Sequence, residues 1–168
     1  MEKTGLAIMR LQPLHKAHVN LINQMNSYCE TSIIGLGSAQ VNNEWNPFTV
    51  EQRTKMLRNV FGDRIKIVPL TDINTEKGTD EWINYVVDKI NKIGMSTPTD
   101  YFSGSEADSV WYKNYFGKNL HIMPRDMFVH PSASEVRTLL AAGDTAWQKY
   151  IPRVNWNIVS NYPEKFKL

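Results

Sequence analysis

Gly5-Leu6-Ala7-Ile8-Met9, running on into Arg10-Leu11-Gln12-Pro13-Leu14-His15-Lys16-Ala17-His18, is the stretch on which the fold turns. Its first five residues are an apolar run between a charged start and a polar turn, as expected of a strand buried in a parallel sheet. Directly after the turn, Val19, Leu21, Ile22 and Met25 recur at helical spacing. A short buried strand that passes through a turn into a one-faced helix is the opening of a βαβ unit.

The pattern repeats along the chain. Thr31 to Leu36 reads as a second strand, closed by Gly35, Gly37 and the small pair Ser38-Ala39, and a polar loop from Asn42 to Pro47 follows. Thr49, with Gln52 three residues on, forms a capping-box pattern for a helix that turns Met56, Leu57 and Val60 inward and stops near Gly62. Ile65 to Leu70 is the third strand and Asp72 to Thr79 a loop. Asp80 to Ile93 is a helix with Ile83, Val86, Val87 and Ile90 on one face. Asp100 to Ser103 and Leu120 to Met123 are further strands, and Ser134 to Ala142 a helix ended by Gly143. The fold class is therefore α/β, a parallel sheet of about five strands flanked by helices, in one domain over residues 1–168. Ligands of such sheets sit at the carboxyl ends of the strands, near the reversal of strand order. That directs attention to the loops Gln12 to His18, Gly37 to Pro47 and Ser103 to Asp108.

Composition narrows the function. A net charge of +2, with basic residues scattered singly, argues against a nucleic-acid binder, and the tract Lys113 to Lys118 is diluted by aromatics. One cysteine, Cys29, excludes an internal disulfide and suits a reducing cytosol. No motif surrounds Cys29, so it reads as a buried helix residue rather than a nucleophile. The apolar stretch before Arg10 is too short for a signal peptide or a membrane span, which points to a cytoplasmic protein with no membrane partner.

His15 and His18, three apart at a helix start, point toward a common ligand beside free backbone N–H groups. A helix N-terminus favours an anion, and imidazole and Lys16 add charge-assisted bonds to phosphate oxygens. Zinc is the rival reading, but it needs further His, Cys or carboxylate ligands, and His121 and His130 stand in no ligand-spaced pattern. Ser132, Ser134 and Arg137 make a second candidate anion clamp, one turn of a single helix face, although serine at a helix start is also a plain N-cap.

The block Arg10 to His18 resembles the HxGH signature of the nucleotidyltransferase superfamily, and most closely the archaeal-type nicotinamide-nucleotide adenylyltransferases, which read like R-x-Q-P-F-H-x-G-H. Further blocks match in order: Gly37-Ser38-Ala39-Gln40, then Asn46-Pro47-Phe48-Thr49 with Arg53 after it, then Val68 to Ile73 with Trp82, then Ser132-Ala133-Ser134-Glu135-Val136-Arg137. The likeness runs from about Gly5 to Val154. Ala17 and Met9 stand where the family has glycines, the Gln40-to-Pro47 loop is one residue short, and Trp45 falls where the family carries an arginine.

The resemblance implies a Rossmann-like nucleotidyltransferase fold and transfer of AMP from ATP to nicotinamide mononucleotide, giving NAD and pyrophosphate. It makes His15, His18 and Arg137 catalytic, with Arg137 on the β- and γ-phosphates. Arg10, Gln12, Lys16, Gly104, Ser132 and Ser134 fall to ATP, and Gly37, Ser38, Trp45, Asp72 and Trp82 to the acceptor. Arg10, at a strand end, reads equally as structural, Trp45 as a lid or a packed loop anchor, and Trp82 as a stacking platform worth about 0.5–2 kcal/mol for a cationic ring or as a core residue. Mg2+ is expected through the ATP phosphates rather than a protein cage, and a homo-oligomer is implied. The aromatics Trp111, Tyr112, Tyr115 and Phe116 read as core or subunit contact. Two alternatives stay open: another phosphorylated acceptor such as phosphopantetheine or FMN, or a non-catalytic nucleotide sensor.

Overall fold

Among the described residues five strands, all parallel, line up in the order β3-β2-β1-β4-β5. They are β1 (Thr4–Met9), β2 (Thr31–Leu36), β3 (Lys66–Pro69), β4 (Asp100–Ser103) and β5 (Leu120–Ile122). The computed structural model describes residues 2–76, 79–124 and 132–167, so His130 lies outside the described residues. The helices are α1 (Lys16–Tyr28), α2 (Val50–Phe61), α3 (Asp80–Lys92), α4 (Glu106–Ser109), α5 (Lys113–Phe116), α6 (Ala133–Ala141) and α7 (Trp156–Val159). None of the described helices is long and apolar enough to cross a membrane.

The alternation of side chains along each strand divides the core in two. Ala7, Ile34 and Phe102 face a layer built from α1, α2 and α6, while their chain neighbours Leu6, Ile33 and Tyr101 face α3, Tyr112 and Phe116. Both faces are covered, which is why the strands read as continuous apolar runs. Gly5 lets α1 come close: a Cβ there would stand 2.8 Å from Met25 Cγ and 2.9 Å from Cys29 Sγ. Cys29 caps the far end of α1, and burial pushes its thiol up to about 11, which agrees with a structural role.

The expected elements are present, with ends moved by one or two residues. Ile65 and Leu70 are buried but lie just outside β3. The aromatic run after β4 is a 3-10 turn (Val110–Tyr112) leading into the short α5, so it divides its side chains. Tyr112 and Phe116 pack on the Tyr101 ring at centroid distances of 4.1 and 5.5 Å, whereas Trp111 and Tyr115 stand exposed.

One clasp joins the β1 turn to the segment before α2. The buried Gln12 amide donates from Nε2 to the Phe48 carbonyl and accepts from the Phe48 N–H, both at 2.9 Å. Gln12→Leu keeps the volume but leaves both Phe48 groups unpaired, so it should destabilise the fold by about 1–3 kcal/mol per group. The urea midpoint measures this, and an unchanged midpoint would remove the clasp from the account.

Candidate active site

A cleft of about 650 Å³ opens along the carboxyl ends of the strands. Its floor lies between β1 and β4, where the strand order reverses. Arg10 follows β1, Gly37 follows β2, Gly104 follows β4 and Met123 follows β5, and all four line it.

Both histidines face this cleft, held by the start of α1. His15 is the N-cap and is 1% exposed; its ring stacks on that of His18 with centroids 3.6 Å apart. The His15 backbone N–H donates to His18 Nδ1 at 3.2 Å, part of a capping box closed by the two imidazoles. Because His18 Nδ1 accepts, a neutral His18 carries its proton on Nε2, as an N–H donor.

Arg137 reaches the same cleft from α6. Its Nη1 donates to the Gln12 carbonyl at 2.8 Å and its Nη2 to Ser134 Oγ at 3.0 Å. Burial, and next the charge of Arg10, hold its guanidinium below the usual arginine pKa. Arg53 is lowered to about 10 for the same two reasons. The charge of Arg10 thus repels both Arg53 and Arg137, and an anion placed in the cleft relieves that repulsion.

On the β2–β3 side, the Ser38 hydroxyl donates to Asp72 Oδ1 at 3.0 Å, and both residues line the cleft with Gly37. Ala39 N–H donates to the Leu70 carbonyl at 2.9 Å, tying the two strand-end loops together.

Several expected contacts are placed otherwise. Lys16 is outside the cleft lining: its Nζ donates to the Lys149 carbonyl at 2.6 Å and its backbone N–H to the Tyr150 carbonyl at 2.9 Å. Gln12 lines the cleft, but its side chain is committed to Phe48, leaving it a positioning part. Ser132 is the N-cap of α6, with Oγ accepting from the Glu135 N–H at 3.2 Å, so the plain capping role accounts for its hydroxyl. Ser134 orients Arg137. Trp45 is 62% exposed and outside the cleft lining; it is neither a packed anchor nor, in this conformation, a lid.

Trp82 does line the cleft, but it is 3% exposed, and its indole N–H donates to Tyr112 Oη at 2.8 Å. The core reading accounts for its packing, while one edge borders the open space. The open aromatic surface belongs to Trp111, which is 46% exposed and also lines the cleft, as do Tyr112 and Asp108. Helical spacing alone reads Trp111 as core or subunit contact. The signal available was its place in the segment after β4, at the ligand edge of the sheet.

A family model described as cytidylyltransferase-like matches residues 10–160. The nicotinamide-nucleotide adenylyltransferase of Thermococcus kodakarensis is 29% identical over 162 residues, covering 91% of this chain and 80% of that one. The protein of the same description from Pyrococcus abyssi is 30% identical over 157 residues, covering 89% and 78%. A crystal structure of a bifunctional NMN adenylyltransferase/ADP ribose pyrophosphatase from Francisella tularensis matches with a TM-score of 0.72 at 22% identity, a likeness of fold. It covers 95% of this chain and 53% of that one, so the chain spans about half the length of the bifunctional protein. A second structure from that organism, of the same description, is complexed with AMP and a manganese ion.

Lys16→Met tests the placement of the lysine. With Nζ directed to the Lys149 carbonyl, its loss should leave ATP affinity within about twofold, or ~0.4 kcal/mol, by calorimetry. A loss of tenfold or more would return Lys16 to the phosphate site.

Proposed function

The chain belongs to the nicotinamide-nucleotide adenylyltransferase family, within the cytidylyltransferase-like fold, and from that premise we propose that it transfers AMP from ATP to nicotinamide mononucleotide, forming NAD and pyrophosphate. The observation that carries this reading is one cleft lined on one side by His15, His18, Arg10 and Arg137 and on the other by Ser38, Asp72 and Trp82.

The acceptor's 5′-phosphate oxygen attacks the α-phosphorus of ATP. The new P–O bond forms as the bond to the bridging α–β oxygen breaks, and pyrophosphate leaves with that electron pair. The attacking phosphate is already an anion, so no general base is needed, and catalysis comes down to alignment and charge stabilisation. His18, its Nδ1 occupied by the His15 N–H, presents Nε2–H as a donor to charge developing around the α-phosphate. His15, buried beneath it, fixes the ring by stacking. Arg137, oriented by the Gln12 carbonyl and Ser134, holds the departing phosphates. Arg10 lines the cleft at the end of β1, and its charge serves the ATP phosphates there.

Among the described residues no group of three or more His, Cys, Asp or Glu could hold a metal, and this donor set fits an ion carried on the ATP phosphates and water. Such an ion, Mg2+ in our reading, neutralises triphosphate charge when bound. On the acceptor side, Asp72 and Ser38 supply polar contacts, and Trp82, Tyr112 and Trp111 form the aromatic wall beside the nicotinamide ring. We place the protein in the cytoplasm, and Val110 and Tyr115, exposed beside the cleft, are the apolar surface a homo-oligomer would cover.

Pyrophosphate release with ATP and a panel of nicotinamide mononucleotide, its deamidated analogue, phosphopantetheine and FMN tests the reaction. Nicotinamide mononucleotide should give turnover where phosphopantetheine and FMN do not; release with either of those alone would overturn the assignment. In the same assay His18→Ala should lower kcat about 10²–10³-fold while ATP binding weakens less, since the donor acts mainly in the transition state. Near-normal turnover in a folded variant would strike His18 from the catalytic set.

A further inference from the structure

Among the described residues, two that are not glycine hold a left-handed backbone: Leu11 at φ 54° and Ser38 at φ 47°. A side chain with a Cβ is unfavourable there, and such conformations persist only where surrounding bonds over-determine them. Leu11 lies in the turn after β1, which carries Arg10 and leads to the histidines. Ser38 lies in the turn after β2, beside Asp72. Each turn serves a different half of the cleft.

A single side chain reaches both. Arg53, on α2, is 0% exposed, and among the described residues its guanidinium donates to backbone carbonyls alone. Nη1 donates to the Arg10 carbonyl at 2.7 Å and to the Gly37 carbonyl at 2.8 Å. These belong to the peptide units immediately preceding Leu11 and Ser38, whose orientation is what the two φ angles describe. Nη2 donates to the Ser38 carbonyl at 3.2 Å, closing the second turn from its other side, and Nε reaches the Thr49 carbonyl at 3.4 Å. Among the described residues no carboxylate forms an ion pair with it.

We propose that Arg53 is a positioning residue that locks the two left-handed turns to one guanidinium, so that the donor-side and acceptor-side loops keep one mutual register. It touches neither substrate. Arg10 and the start of α1 on one side, and Gly37, Ser38 and Asp72 on the other, are set by the same planar group, and disturbing it displaces both. Lysine cannot replace it, because one ammonium lacks the fork that spans carbonyls from separate turns. The inference rests on the reading of the cleft as a two-substrate site.

Calorimetry with ATP and with nicotinamide mononucleotide, each alone, tests it on variants shown by circular dichroism to be folded. Arg53→Lys should weaken both ligands tenfold or more, whereas Arg137→Lys weakens ATP alone. Glycine adopts the left-handed turn freely, so Ser38→Gly should lower acceptor affinity in the wild-type background, where a hydroxyl is lost, and lower it clearly less in the Arg53→Lys background, where relief of the unsupported turn offsets that loss. A folded Arg53→Lys protein with wild-type affinity for both ligands overturns the proposal, as does a Ser38→Gly effect of equal sign and size in the two backgrounds. If Arg53→Lys does not fold, hydrogen exchange on the wild type decides: inorganic pyrophosphate alone should slow exchange at residues 37–39 as well as 10–12, and protection confined to 10–12 overturns it. Failure of the wild type to bind nicotinamide mononucleotide would count against the acceptor assignment, while the ATP comparison would still judge Arg53.

Discussion

Where β1 lies beside β4, the connections from the two strands leave in opposite directions across the sheet, and the carboxyl ends between them are left without a covering helix. The rest of the molecule follows from that vacancy. The cleft occupies it, and the turns after β1, β2 and β4 become its walls. The α1 start, pinned by its histidine capping box, directs the positive end of its dipole along the same edge. Two-sided burial gives the sheet the rigidity to hold such turns, since Leu6 and Ala7 each anchor a different layer.

Among the described residues, no carboxylate forms an ion pair with the arginines of the site. Burial, and next the charge of Arg10, depress both Arg53 and Arg137. Backbone carbonyls, not carboxylates, satisfy Arg53, and Gln12's carbonyl with Ser134's hydroxyl satisfies part of Arg137. A guanidinium bound to neutral acceptors keeps its full charge for whatever enters the cleft. An ion pair would have spent it.

Strands and helices were legible in the sequence because their signal is local periodicity: the runs 5–9 and 31–36, and Val19 to Met25 at helical spacing, each needed no distant partner. That His15, His18 and Arg137 meet at one cleft was legible for a similar reason, since each sits at or near a helix start. Apart from Ser132, whose hydroxyl is taken by the cap three residues on, the readings that changed depend mainly on groups far along the chain. Lys16 is turned away by carbonyls 133 and 134 residues later, and Gln12 is engaged by Phe48, 36 residues on. Trp82 and Trp111 exchanged expectations because the Tyr112 hydroxyl, 30 residues from Trp82, holds that indole inward, while the 3-10 turn at Val110–Tyr112 leaves Trp111 at the mouth. Periodicity reports a helix face, not which part of the molecule stands opposite it.

The close seat of α1 on Gly5 carries a chemical consequence. It encloses the chain's one sulfhydryl against β1, and the same burial keeps Cys29 protonated far above neutral pH. Oxidants and electrophiles attack the thiolate, so this sulfur is shielded twice, by access and by ionisation. An enzyme that supplies a redox carrier is thereby insulated, at its own cysteine, from the oxidation state its product helps to set.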